Sequence, residues 1–315
     1  MYQDLRVIDF HAHFPTNRRW FGRTDRWAQA AAKIGERRAA LLREQAKAYN
    51  EEWRLAWDFP APETEKHTDE EQAERWAAEV DRYGLDKVVF VTGGGNDNLA
   101  RIVKMYPDKF VGFAHHDPFE ENAAQELERA VTELGMRGYK LLAPALDRPV
   151  DDETAFPVWE VAAKYEIPVL IHFGILGGGG GVAWHPNINP LTLHDVAKAF
   201  PDVNFVVPHL GCTYVRETLQ LCWACRNVCV DTSGSNQWVR WMPGDLTVKQ
   251  LLRKYLETIG PDRILFGSDS SWFPRGFAVR YLQDQIRDLR ELGVSYEVMQ
   301  KILAGNASRL LKLND

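Results

Sequence analysis

Eight short apolar runs, each bounded by turn-forming residues and separated by stretches of helical period, place the tightest constraint on how this chain can fold. They are Leu5–Phe10, Lys87–Val91, Phe110–Ala114, Arg137–Leu141, Pro168–Ile171, Val203–Val207, Asn227–Val230 and Arg263–Phe266. Continuous apolar runs alternating with helices imply parallel strands buried on both faces, because the crossovers cover both sides of the sheet. Helices are predicted over Asn98–Tyr106, Asn122–Leu134, Ala155–Tyr165, Pro190–Phe200 and Tyr214–Ala224, with Val279–Leu292 and Ser295–Leu311 after the last strand. Eight such units within 315 residues predict an α/β fold, a (β/α)8 TIM barrel forming a single domain over residues 1–315. An open doubly wound sheet is the competing arrangement.

One interval breaks the rhythm. Residues 15–85 form a helical insertion after the first strand where a single crossover helix is expected. Thr24–Trp57, rich in Ala, Arg, Glu and Gln, reads as one long helix carrying Trp27, Trp53 and Trp57, and Asp69–Tyr83 as a second. Because the insertion leaves the C-terminal end of a strand, it starts on the face where barrel enzymes place their chemistry, and it is expected to act as a lid or a dimer arm. A second irregular stretch, Phe173–Pro186, contains five consecutive glycines, Gly177–Gly181. No helix start follows at the spacing a pyrophosphate needs, so this is expected to be a loop over the pocket rather than a dinucleotide site.

Composition removes several function classes. With 38 basic and 44 acidic residues the chain is mildly acidic and has no basic block to neutralise a phosphate backbone, so nucleic acid is not an expected partner. No apolar run has membrane-spanning length, and a charged strand begins within a few residues of Met1; a cytoplasmic protein without a membrane partner is expected. The four cysteines, Cys212, Cys222, Cys225 and Cys229, include a Cys-X-X-Cys pair, but no second half-site accompanies it, so buried free thiols are expected.

The residues at the C-terminal ends of the runs carry the chemistry. The first offers His11 and His13, the third His115 and His116, the fourth Lys140, the fifth His172, the sixth His209, the seventh Asp231 and the eighth Asp269. Six of the nine histidines fall at these positions, which random placement would not select. Histidines two apart on a strand share a face and can aim at one metal ion. Adjacent His115 and His116 face opposite ways, so at most one enters the pocket.

Four ordered motifs, Val7-Ile-Asp-Phe-His11-Ala-His13, Val169-Leu-Ile-His172, Phe205-Val-Val-Pro-His209-Leu-Gly211 and Ile264-Leu-Phe-Gly-Ser-Asp269, resemble the successive signatures of the amidohydrolase superfamily. More narrowly the chain resembles the amidohydrolase 2 branch that includes 2-amino-3-carboxymuconate 6-semialdehyde decarboxylase. The resemblance runs from the first strand to the last helix and spares mainly the Trp-rich insertion. It implies a barrel with one divalent metal ion, commonly Zn²⁺ and in some decarboxylating members Mn²⁺. His11, His13, His172 and Asp269 would be its ligands, and His209 the neighbouring acid/base residue. A homodimer is common in the branch.

Three neutral imidazoles and a carboxylate suit Zn²⁺ and leave room for a water whose pKa the ion lowers, with Asp269 and His209 as catalytic groups. Other branches of the superfamily bridge two metals with a carboxylated lysine after the fourth strand; here Lys140 is expected to be unmodified and to bind a substrate anion or pair with a carboxylate. His116, Trp184, Arg240 and Arg275, with Trp241 and Trp272, are candidates to cradle a planar or anionic small-molecule substrate. Asp231 is expected in a supporting role. The expected activity is metal-dependent hydrolysis of a lactone, ester or amide. The alternative is non-oxidative decarboxylation of an aromatic or muconate-type acid, with a non-catalytic binding barrel a distant third.

Overall fold

The computed structural model describes residues 2–18, 26–56, 58–174, 186–234 and 236–313. β1 (Ile8–His13) is followed by α1 (Arg26–Ile34), α2 (Glu36–Ala56) and α3 (Asp69–Tyr83) before β2 (Lys87–Thr92). Strand and helix then alternate through α4 (Asn96–Met105), β3 (Phe110–Gly112), α5 (Ala123–Thr132), β4 (Tyr139–Leu142), α6 (Phe156–Tyr165) and β5 (Val169–His172). They continue through α7 (His194–Ala199), β6 (Phe205–Val207), α8 (Val215–Ala224), β7 (Val228–Asp231), α9 (Val248–Ile259) and β8 (Ile264–Leu265). α10 (Val279–Glu291), α11 (Tyr296–Gln300) and α12 (Asn306–Leu311) complete the described chain.

Every strand pairing is parallel, in the orders β1-β2-β3 and β4-β5-β6-β7-β8. The two sheets meet through an Ala114–Tyr139 bridge between the ends of β3 and β4, and through an Ala12–Ser270 bridge between β1 and the segment after β8. These two seams close the ring, and the expected barrel is the fold.

Strand alternation divides the core into two layers. Ile8, Phe10, Val89, Val91, Phe113, Leu170, Val206, Cys229 and Leu265 fill the barrel, where Ala304, Ala307, Leu310 and Leu311 from the C-terminal helices pack against them. Their strand neighbours Val7, Val88, Phe90, Tyr139, Val169, Phe205, Val228 and Ile264 face outward into the layer shared with the helices. Two inward rows, followed two residues further along their strands, lead from packed hydrocarbon to a polar group: Leu170 to His172, and Cys229 to Asp231. The functional residues therefore stand on the upper layer of a solid core.

Local sequence explains where several elements begin and end, and where the expectations shift. Gly35, at φ +86°, splits the single long helix expected over Thr24–Trp57 into α1 and α2. α3 opens with a Thr68–Glu71 capping box and ends at left-handed Gly84. α9 was not foreseen, although Thr247 and Gln250 form the same box at its start. The last helix is broken by a π turn, Lys301–Gly305, whose Ile302 carbonyl accepts a hydrogen bond from Phe266 N just beyond β8, 2.9 Å away. All four cysteines are free and buried. No helix among the described residues is long and apolar enough to cross a membrane.

Candidate metal centre

β1 departs from regular pairing where the site begins. Its register against β2 shifts between Asp9 and Ala12 and again between Ala12 and His13. In an unbroken strand the inward set Ile8 and Phe10 would continue to Ala12 and leave His11 and His13 outside. The irregularity reverses that phase: Ala12 packs in the outer layer, and both histidines turn toward the barrel mouth. The Asp9 carboxylate supports the distortion by accepting hydrogen bonds from His11 N (3.2 Å) and Ser268 N (2.8 Å). Gly267, at the inward position of its segment, makes the space, since a Cβ there would lie 2.9 Å from the Cβ atoms of both His11 and Ser233.

Ligand atoms of His11, His13 and Asp269 lie within 4.8 Å of one another. His13 Nε2 is 3.2 Å and His11 Nε2 3.9 Å from Asp269 Oδ1. Both histidines are held by their other nitrogen. His11 Nδ1 donates to Asp231 Oδ2 at 2.9 Å, and His13 Nδ1 is hydrogen-bonded to Thr92 Oγ1 at 2.7 Å. Asp231 thereby fixes His11 in the tautomer that presents an unprotonated Nε2 to the centre, and Thr92 orients the His13 ring. Burial and the nearby Lys140 push the His11 imidazole down to about 3 against the opposing pull of Asp231, and burial lowers His13 as well. Burial by itself would raise Asp269, but the hydrogen bond from His13 and the other nearby histidines outweigh it and hold the carboxyl well below the usual range. Neutral imidazoles beside an ionised carboxylate are the donor states a divalent cation requires.

The fit to an ion rests on an orphaned atom: His11 Nε2 is buried and has no hydrogen-bond partner among the described residues. A buried lone pair without a donor is costly, and a cation between His11, His13 and Asp269 would satisfy it.

His172 is not a member of this three-residue group. Its Nδ1 is 3.1 Å from His209 Nε2, while His209 Nδ1 lies 3.1 Å from the Ser233 carbonyl. Ser233 Oγ lies 2.9 Å from the same Nδ1, so one serine holds that nitrogen through carbonyl and hydroxyl, while His209 Nε2 and His172 Nδ1 share a hydrogen bond. His209 and Asp269 both occupy left-handed backbone, each at φ +57°, a conformation that costs a non-glycine residue about 1–3 kcal/mol and concentrates at functional sites. Asp231, expected only as a support, is the hub beneath them. Besides His11 it accepts from His209 N (3.2 Å) and Ser233 N (2.8 Å), and the net effect of these partners outweighs burial to keep it ionised. Thr92 and Asp9 were not singled out from sequence. Asp9 precedes the His-X-His by two residues, and its burial in an apolar run was the available signal.

The predicted substrate groups separate. Lys140 is fully buried, and its Nζ has no partner among the described residues; burial pushes its amine down to about 7, against Asp231 and Asp269. His116 has both nitrogens engaged, 2.9 Å from the Ala123 carbonyl and 3.3 Å from Asn96 Nδ2, so no ring nitrogen remains for a substrate. His115 is likewise spent, accepting from Gly93 N and Gly95 N (3.2 and 2.9 Å) and donating to the Phe113 carbonyl. Arg240 is exposed on a short turn of helix. Arg275 donates from Nη1 to the Asp269 carbonyl at 3.1 Å. Trp184, with the glycine run before it, lies outside the described residues.

The family described as amidohydrolase matches residues 8–313. Among relatives, the decarboxylase orsB of Emericella nidulans is 26% identical over 185 residues, 50% of this chain and 52% of that protein. The gamma-resorcylate decarboxylase of a Polaromonas species is 26% identical over 258 residues, 70% of this chain and 75% of that protein. The match thus spans about half the length of the first relative. Three solved structures share the fold. The 5-carboxyvanillate decarboxylase LigW of Sphingomonas paucimobilis superposes with a TM-score of 0.64 at 18% identity, covering 99% of this chain and 100% of that one. The dihydroxybenzoic acid decarboxylase of Polaromonas sp. JS666, with bound manganese and 2-nitroresorcinol, gives 0.63 at 20% identity over 99% and 98%. A probable 2-pyrone-4,6-dicarboxylic acid hydrolase of Acinetobacter baumannii gives 0.62 at 15% identity over 98% and 100%.

Proposed function

The chain belongs to the amidohydrolase family, and from that premise we propose that it is a metal-dependent decarboxylase of an aromatic or muconate-type acid. This places the alternative drawn from sequence ahead of lactone, ester or amide hydrolysis. The observation that carries it is Lys140. A fully buried lysine amine with no partner among the described residues, set beside the residues that would hold a dication, is a place for an anion to bind and keep that amine protonated. A substrate carboxylate supplies that charge, so the substrate is an organic acid. The decarboxylase names of two relatives point the same way.

In this reading His11, His13 and Asp269 hold one divalent ion, with His172 Nε2 as the fourth ligand. When bound, the ion supplies Lewis acidity and positive charge that hold and polarise the acid's oxygens. Nitrogen and carboxylate donors accept either Zn²⁺ or Mn²⁺, and a structural relative contains manganese. Lys140 neutralises the carboxylate that will leave. Loss of CO₂ breaks the bond from carboxylate to ring or diene carbon and leaves its electron pair there, and that carbon must take up a proton. Asp269, kept ionised by its histidines, remains a ligand, so His209 carries the proton on Nε2, with Nδ1 anchored on Ser233. Substrate carboxylate and proton thus become CO₂ and the decarboxylated product.

The test is a screen of dihydroxybenzoates, carboxyvanillate-like and muconate-type acids for released CO₂, beside lactones and amides, with metal content measured on the same protein. About one divalent ion per chain is expected, with CO₂ from at least one acid, and loss of both ion and turnover in His11→Ala and Asp269→Asn. Hydrolytic product without CO₂ would restore the hydrolase, and full turnover by metal-free protein would remove the mechanism.

A further inference from the structure

Arg275 sits where the segment between β1 and β2 meets the metal centre. Its guanidinium carbon lies 4.2 Å from the centroid of the Phe59 ring, 4.8 Å from Trp272 and 5.6 Å from Tyr281. These rings brace one another: Phe59 meets Trp272 edge-on at 5.6 Å and Tyr281 at 6.2 Å. Trp53, near the end of α2, packs 5.4 Å from Phe59 and 6.2 Å from Trp272. The backbones are tied as well, by Trp272 Nε1 to the Pro60 carbonyl (3.3 Å) and Glu63 N to the Phe273 carbonyl (3.0 Å). Among the described residues no carboxylate pairs with Arg275, and its buried Nε has no partner. Ring faces and one carbonyl, rather than an acid, hold the charge in place.

That carbonyl belongs to Asp269. Its peptide groups are gripped on both sides, with N–H donating to the His11 carbonyl at 2.7 Å and C=O accepting from Arg275. Between the two grips Asp269 keeps a left-handed backbone that a non-glycine residue leaves readily when support is lost.

We propose that Arg275 is a positioning residue through which the β1–β2 segment sets the affinity of the metal centre, with Phe59 and Trp53 holding the guanidinium and the guanidinium holding Asp269. The proposal rests on the metal-site reading above. It adds that an aromatic wall remote in sequence governs the ion, and that this segment acts on the ligand set itself.

The experiment strips purified full-length protein of metal and measures Mn²⁺ uptake by equilibrium dialysis, with circular dichroism and thermal melts on the same samples. Arg275→Met, which keeps length and loses the donor and charge, is expected to weaken Mn²⁺ binding roughly 10–100-fold. Phe59→Leu keeps apolar volume and removes the ring face, and should weaken binding about 3–10-fold. Arg275→Lys, which restores a charged donor, should recover part of the loss. A merely structural role would lower the melting temperature and leave the affinity of the folded protein unchanged. Wild-type affinity in folded Arg275→Met and Phe59→Leu overturns the proposal while leaving the metal centre intact. A wild-type protein that takes up no ion overturns the metal-site reading and this proposal with it.

Discussion

His11 and His13 act as a pair only because a different residue occupies each one's second nitrogen. Asp231 chooses the His11 tautomer and Thr92 orients the His13 ring; without the first, a neutral imidazole is as ready to donate to the centre as to accept from it. His115 shows the opposite fate for a histidine at a strand end. Burial pushes it down to about 4, because its acceptor nitrogen is committed to two backbone N–H groups and a charged ring is poorly solvated there. The unfolded chain therefore takes up a proton near pH 6.5 that the folded chain resists until about pH 4. The neutral ring's contribution is complete above 6.5 and is lost as the pH falls through that window, by about 3 kcal/mol at its lower end. His115→Gln, which can keep both an acceptor and a donor, should remove that slope. Denaturant titrations of both proteins between pH 7.5 and 4 measure it, and equal slopes would show that His115 titrates normally.

At the scale of elements, β1 carries the decisive irregularity. Alternation was legible in the apolar runs and correctly paired His11 with His13. The phase of that pair relative to Ile8 and Phe10 was not, since a bulge depends on what the neighbouring strand and the segment after β8 offer the displaced amides. Asp9 is the local device that stabilises it, and Asp9→Ala would leave the N–H groups of His11 and Ser268 without their acceptor in a dry interior. A loss on the order of 3 kcal/mol is expected from chemical denaturation, with a smaller loss for Asp9→Asn. An unchanged midpoint in Asp9→Ala would mean that the bulge stands without its carboxylate. Helix boundaries were read less well than strands: Gly35 broke one expected helix, and α9 was passed over despite its Thr247 cap.

For the whole molecule, closure of the ring brings together candidate ligands, His11 and His13 with Asp269, separated by more than half the chain. An ion held between β1 and the residues after β8 bridges the Ala12–Ser270 seam, so it should stabilise the native state as a ligand does. Removing it with a chelator is expected to lower the melting temperature by several degrees, and restoring Mn²⁺ at about 100 times its dissociation constant should return about 2.7 kcal/mol. A melt insensitive to the ion would detach the site from the fold. By itself the amino-acid sequence determined the barrel and the residue types waiting at its strand ends, because strand burial and helical period are patterns among near neighbours. Tertiary structure alone decided which groups gather as candidate donors to a cation and which support them. The pairs His11–Asp231, His172–His209 and Arg275–Phe59 join residues 37 to 220 positions apart, and no local pattern carries the distance or tautomer on which each role depends.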